Sequence, residues 1–207
     1  MVEYFLIGTL LGLSAGLSPG PLMTLVIAET LRHDTAAGIK VALSPLITDL
    51  PIILVAWWVM AELSRFEGVL GVISLLGALF MGYLGYESLR VRELSLDTGG
   101  AKPRSLAKGV LANLLNPNPY LFWLTIGGPI MLKALAIGTG GLIAFMVAIY
   151  LWLVGGKVVL ALVVGRARGH LSGRIYPYLM RMLGLLLWVL ALVFLVDGLG
   201  FLGLVPA

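Results

Sequence analysis

Cysteine is absent from the 207-residue sequence, which excludes structural disulfides and any thiol–disulfide relay of electrons across a membrane. Charge is scarce as well, since Asp, Glu, Lys and Arg make up only 12% of the residues. A soluble domain of this length could not bury a chain that is 60% hydrophobic. The composition therefore predicts a polytopic membrane protein.

Signatures of catalysis and of cofactor binding are missing too. The sequence contains no HExxH motif, no cysteine–histidine cluster, no Walker loop and no acidic cluster with metal-ligand spacing, so we expect no metal, no cofactor and no ATP hydrolysis. The apolar runs offer no nucleophile–base pair, which disfavours an intramembrane enzyme. The basic pI near 9.5 arises from residues in loops, where they act as topology signals rather than as a nucleic-acid surface.

Six apolar runs are each long enough to cross a bilayer, which takes about 20 helical residues. The first run lacks a basic n-region and a small-residue cleavage site, so we expect it to remain as a span rather than to be removed as a signal. The sequence predicts an all-α membrane protein with one domain over residues 1–207. The predicted spans are Val2–Leu31, Gly38–Met60, Gly68–Leu89, Leu106–Leu132, Gly141–Val164 and Tyr176–Leu202.

Proline motifs interrupt the first and fourth runs, at Ser18-Pro19-Gly20-Pro21 and Asn116-Pro117-Asn118-Pro119. A proline lacks an N–H and clashes with the carbonyl four residues back, so both helices should be broken. Breaks at corresponding positions in two halves indicate a transporter's binding site near the bilayer midplane. The carbonyls that these prolines release belong to Ala15, Leu17, Asn113 and Leu115.

Three spans separate the two breaks, so the two halves must cross the membrane in opposite senses. The sequence therefore predicts two inverted three-helix repeats: repeat one over 1–90, a cytoplasmic linker over 91–105 and repeat two over 106–207. Eleven of the 14 Lys and Arg residues lie in or beside connections one, three and five, and only Arg65 and Lys133 lie in connections two and four. The positive-inside rule then places the basic connections in the cytoplasm and both termini outside.

Asp49 lies near the middle of the second span. A carboxylate at that depth costs about 2.5–3.5 kcal/mol on insertion scales, so it indicates a functional site. The position of Asp49 is suitable for a carboxylate that takes up and releases a proton. The alternative is that Asp49 forms a structural ion pair with Lys157 of the fifth span. Lys157 could instead bind a substrate carboxylate or extend towards the cytoplasm. Carboxylates near the ends of runs are expected to be interfacial and partly hydrated; they are Glu29, Glu87 and Asp197.

Side-chain amides and hydroxyls surround the two breaks and can hold a substrate or satisfy released carbonyls, and both roles can coexist. Together with the prolines and the two charged residues they form the candidate substrate and coupling site. Its members are Ser18, Pro19, Gly20, Pro21, Thr48, Asp49, Asn113, Asn116, Pro117, Asn118, Pro119 and Lys157. Glycines at four-residue spacing in the first span, Gly8, Gly12 and Gly16, predict close helix packing.

In these motifs the chain resembles the lysine exporter (LysE) family of amino-acid exporters, including LysE/RhtB-type translocators, over essentially its whole length. The motifs are the first proline motif, Asp49, the stretch Gly77–Tyr86, Asn116-Pro117 and Met182-Leu183-Gly184. The resemblance implies six spans, a homodimer and a central site built from the two proline motifs and Asp49. It also implies export of amino acids or related small metabolites across the plasma membrane, driven by a proton or cation gradient.

One departure bears on the substrate. Members of the family commonly have lysine after the asparagine–proline pair, whereas this chain has Asn118 and then Pro119, so lysine itself is not assumed to be the substrate. The alternative function is a passive channel or facilitator for a small polar solute, which would carry flux without proton countermovement.

Overall fold

Ten α-helices make up almost all of the chain described by the computed structural model, which covers residues 1–18, 20–60, 63–89, 104–168 and 175–204. No strand occurs within these ranges. The helices are α1 Val2–Leu17, α2 Pro21–Arg32, α3 Thr35–Ala42, α4 Pro45–Met60, α5 Leu63–Leu89, α6 Ser105–Leu114, α7 Pro117–Phe122, α8 Gly128–Ile137, α9 Thr139–Arg168 and α10 Ile175–Phe201. A π-helical segment, Trp123–Gly127, joins α7 to α8.

Five helical stretches in the described residues are long and apolar enough to cross a membrane, and a sixth results if α1 and α2 are counted as one span. The axes of α1 and α2 meet at 59°. The five are Thr35–Ala56, Gly68–Leu89, Pro117–Ile137, Thr139–Arg168 and Pro177–Phe201. The fold is thus that of an all-helical, multi-pass membrane protein. Most of the predicted linker, and Pro19 of the first motif, lie outside the described residues.

Backbone interruptions separate α1 from α2 and α6 from α7. Ser18 is extended after α1, and α2 then begins with Pro21 in its first turn, where a proline's missing N–H costs no helical hydrogen bond. Asn116 is likewise extended, and its side-chain oxygen accepts a 3.0 Å hydrogen bond from the Asn118 N–H at the start of α7. This is a helix cap, so the Asn116 amide serves the backbone at the break.

The second predicted span contains an additional short interruption between α3 and α4, just before Pro45. Because Pro45 has no N–H, the Val41 carbonyl loses its helical partner. The Ser44 hydroxyl donates to that carbonyl at 2.7 Å. The Ser44 N–H also donates to it, at 3.1 Å, so backbone and side chain of one residue together satisfy the released carbonyl.

Glycine allows α1 to lie directly on α9. A Cβ atom at Gly8 would lie 2.6 Å from the Phe145 carbonyl oxygen, and one at Gly12 would lie 2.5 Å from the Ile149 carbonyl oxygen. Gly16 faces the Trp152 carbonyl in the same way. The three glycines thus make the close helix contact that their four-residue spacing predicts.

Helices α5 and α10 form another closely packed pair, in antiparallel orientation. A Cβ atom at Gly85 would lie 2.9 Å from the Gly184 carbonyl oxygen, and the reciprocal distance is also 2.9 Å. Gly71 and Gly198 make the same reciprocal contact near the other end of the pair, at 3.2 and 3.1 Å. Backbone-to-backbone packing therefore extends along much of the α5–α10 pair.

A charge cluster, comprising Glu29, Arg32, Glu87, Ser105 and Lys108, joins α2, α5 and α6. Lys108 Nζ lies 2.9 Å from Glu29 and 3.2 Å from Glu87, and Arg32 lies 2.6 Å from Glu87. The Ser105 hydroxyl donates to Glu29 at 2.5 Å. Only 2% of Glu29 is exposed, so the expectation of a partly hydrated interfacial carboxylate is wrong for this residue. Convergence of three helices buries it and supplies its partners.

Candidate substrate-binding cavity

A cavity of about 200 Å³ lies where the two interrupted spans meet. Nine of the twelve residues predicted for the site line it: Ser18, Gly20, Pro21, Asp49, Asn113, Asn116, Asn118, Pro119 and Lys157. Thr48 and Pro117 are not among its lining residues, and Pro19 is outside the described residues. The remaining lining residues are Ala15, Leu22, Met23, Pro45, Phe122, Trp123, Ile149 and Leu153.

Asp49 is the acidic group of the cavity and is only 3% exposed. Its Oδ1 accepts a 3.1 Å hydrogen bond from the Asn113 amide, and its Oδ2 accepts a 3.0 Å hydrogen bond from the Tyr150 hydroxyl. Within the described part of the chain, no Lys, Arg or His nitrogen forms an ion pair with it. Asp49 is therefore oriented by two neutral donors, and Lys157, which lines the same cavity, does not form an ion pair with it.

Thr48 does not line the cavity but contacts Asn113, which does. The Asn113 amide also donates to the Thr48 hydroxyl oxygen at 2.6 Å, and the Thr48 hydroxyl donates to the Ser44 carbonyl at 3.0 Å. Asn113 thus binds two adjacent side chains of α4 from α6. This contact fixes the Asn113 amide so that its donor points at Asp49.

Lys157 is the basic group of the cavity and is 4% exposed. Its ammonium donates to the carbonyls of Ala15 at 3.2 Å, Gly16 at 3.4 Å and Leu153 at 3.3 Å. An ion pair between Lys157 and Asp49, one of the sequence-based alternatives, does not form. The physical reason is that α1 stops at Leu17 and leaves carbonyls at its end, which attract a cation.

The rest of the wall is mainly apolar. The rings of Phe122 and Trp123 meet edge to face, with centroids 5.3 Å apart and planes at 78°. Ile149 and Leu153 of α9 lie on the same wall as Lys157, because four-residue spacing puts all three on one face of the helix. An apolar enclosure with a few polar groups is typical of a small-molecule site.

Tyr150 is the residue that the sequence analysis missed. It precedes Lys157 by seven residues, two helical turns, so it lies on nearly the same face of α9. That spacing is the available signal. Tyrosine is common in apolar helices, however, and only the fold brings its hydroxyl to Asp49.

The all-helical fold and its central cavity together define a multi-pass membrane protein with a site for a small solute. A family model described as LysE type translocator matches residues 13–198, which is most of the chain. The chain therefore belongs to the LysE type translocator family, whose members are transporters rather than enzymes. No match was found among curated proteins or among solved structures.

Proposed function

We propose that this chain is a secondary active exporter of amino acids or related small metabolites across the plasma membrane, working by proton or cation antiport. The observation that carries the proposal is the position of Asp49 in the cavity between the two interrupted spans, where it accepts hydrogen bonds from neutral donors and forms no ion pair. Intramembrane carboxylates of this kind occur in proton relays of transporters. A proton or a coupling cation can bind the carboxylate there and neutralise its charge.

In this proposal the substrate and the proton use different groups. Asp49 exchanges the proton, while the amides of Asn116 and Asn118 and the backbone at the breaks contact the substrate's ammonium or other donors. Asn118 is exposed at the cavity wall. Release of the proton on one side and of the substrate on the other then gives antiport.

Inverted repeats would supply the alternating access that antiport requires. The helix packing supports this arrangement. In the first half α1 packs on α9, and in the second half α6 and α7 pack on α3 and α4, so each half's first span contacts the other half's second span. The two third spans, α5 and α10, pack on each other. These pairings are reciprocal, as a two-fold axis relating the halves would make them.

A passive channel or facilitator is the alternative function. A layer of packed, buried apolar side chains favours a carrier over an open pore. Val26, Val41 and Ala112 have no exposed surface, and each lies between the cavity and the charge-cluster end of the protein along its own span. In a carrier, such a layer opens only after the other side has closed.

The test is transport by purified protein in liposomes that contain a trapped pH-sensitive dye. Vesicles are challenged with a panel of amino acids, organic cations and organic anions. The proposal predicts substrate-dependent proton movement that disappears in Asp49→Asn and persists in Asp197→Asn, a matched change at an exposed position of α10. Solute movement without proton movement, for every active solute and with every cation gradient tested, would instead establish the facilitator.

Orientation and assembly belong to the same proposal, with both termini outside and a homodimer in the membrane. Because the chain has no cysteine, single-cysteine variants report orientation directly. Glu3→Cys should react with an impermeant thiol reagent from outside intact cells, and His33→Cys should react only after permeabilisation. The reverse pattern would overturn the orientation, and a monomeric mass in nanodiscs would overturn the dimer.

A further inference from the structure

Lys157 is a buried cation that forms no ion pair. Within the described residues no carboxylate lies within ion-pair distance of its ammonium, and its three hydrogen bonds all go to neutral carbonyls. A buried charge is costly unless an opposite charge accompanies it. The neutral partners satisfy the donors of the ammonium, and the Asp49 carboxylate of the same cavity lies beyond ion-pair distance of it.

The three contacts are also long. They measure 3.2–3.4 Å, whereas an ammonium bound to a carboxylate typically lies about 2.7–2.9 Å from it. A carboxylate in the cavity can therefore compete for this ammonium, because it would form shorter and stronger hydrogen bonds than the carbonyls do. Lys157 faces the cavity, so an entering anion reaches it directly.

A second feature of the same cavity favours an anion. Helix α2 has 12 residues, and the Thr24 N–H in its first turn donates to the Gly20 carbonyl. The N–H groups of Leu22 and Met23 precede it and lie at the positive end of the helix. Both residues line the cavity with Lys157, so a side-chain cation and a helix terminus contribute positive potential to one space.

We propose that Lys157 recognises a carboxylate of the transported solute and leaves the carbonyls of Ala15 and Gly16 in order to bind it. The inference rests on the proposed function and assigns its specificity to one residue. It also connects binding to movement, since loss of the ammonium frees the end of α1 at the interruption between α1 and α2. Solutes that lack the anionic group leave this end of α1 held by Lys157.

The experiment compares amino acids with their carboxamides, which keep the ammonium and side chain but lose the negative charge. Alanine, leucine, phenylalanine, glutamine and lysine, each beside its carboxamide, are titrated into purified protein while thermal unfolding in detergent is followed. For at least one of these pairs we expect the acid to bind wild type at least about tenfold more tightly than the amide. Lys157→Gln should reduce that ratio to within about twofold, and Lys157→Arg should largely restore it.

Lys133→Gln is the matched control, because Lys133 is an exposed lysine of α8 and its loss should leave the ratio unchanged. An equal loss of acid and amide binding in Lys157→Gln would give Lys157 a purely structural role and overturn the inference. Wild type that binds no acid more tightly than its amide would overturn it too. This readout needs no transport, so failure of antiport in liposomes with a preserved acid preference would refute the proposed function alone.

Discussion

Substituting alanine for Gly12 should separate α1 from α9. The added Cβ would lie 2.5 Å from the Ile149 carbonyl oxygen and 3.0 Å from the Ile149 Cα, whereas carbon atoms in ordinary contact are about 3.5–4.0 Å apart. The obstacle is backbone, which cannot rotate away as a side chain can, so the helices must move apart by about 1 Å. Overpacking of this kind costs about 1–3 kcal/mol.

The same displacement acts on the cavity. Gly12 lies one turn from Ala15 and Gly16, whose carbonyls accept hydrogen bonds from Lys157 at 3.2 and 3.4 Å. An outward shift of about 1 Å would lengthen both contacts beyond hydrogen-bond range. Gly12→Ala should therefore lower stability and also release Lys157 from the end of α1.

Gly155→Ala is the control for this prediction. Gly155 lies on α9, and a Cβ there meets nothing within 4 Å. Because alanine favours a helix interior by about 1 kcal/mol over glycine, this variant should be neutral or more stable. Thermal or denaturant unfolding in detergent measures both variants. Wild-type stability in Gly12→Ala, or equal destabilisation by Gly155→Ala, would refute the packing argument.

Three further predictions concern particular side chains. Tyr150→Phe removes a hydrogen bond to Asp49 and should slow proton-coupled transport about tenfold. Tyr178→Phe, the control at an exposed tyrosine, should have no effect. Equal transport rates in the two variants would contradict this prediction. Glu29→Gln leaves Lys108 with one carboxylate instead of two and should lower the unfolding free energy by about 3 kcal/mol. The control Glu3→Gln, at an exposed position, should leave the unfolding free energy unchanged. Denaturant titration measures both variants. Burial lowers the pKa of His33 below its usual 6.5, although nearby Glu29 raises it; the folded state then holds fewer protons than the unfolded state, so stability contributed by neutral His33 should be lost as pH falls below about 6.5. Unfolding temperatures of His33→Gln between pH 8 and 5 should therefore decline less steeply than those of wild type, and identical slopes would count against the assignment.

The helical class was accessible from sequence because the bilayer fixes how long an apolar helix must be. Because proline has no N–H, it kinks or breaks a helix wherever it occurs in its interior. Both breaks, and the candidate site around them, could therefore be predicted from the sequence alone. The cavity contains Asp49, Asn113 and Lys157 from three different spans. We could expect them to meet because the two proline motifs lie at corresponding positions in the two halves of the chain.

Partners of the charged residues could not be predicted in the same way. Which carbonyls Lys157 contacts depends on how α9 is rotated and on how closely the glycines let α1 approach, and neither follows from spacing alone. Burial of Glu29 requires α5 and α6 to meet at the end of α2. Tyr150 is placed beside Asp49 by the contact of α9 with α4, a long-range feature of the fold.

Proton coupling through Asp49 is tested by accumulation of a radiolabelled substrate in proteoliposomes under an imposed pH gradient, measured beside exchange at equal pH. Asp49→Asn keeps a hydrogen-bonding side chain of similar size but cannot exchange a proton. We expect this variant, folded as wild type, to retain exchange of labelled for unlabelled substrate and to lose accumulation driven by the pH gradient. Accumulation at the wild-type level in Asp49→Asn would show that Asp49 does not couple transport to protons.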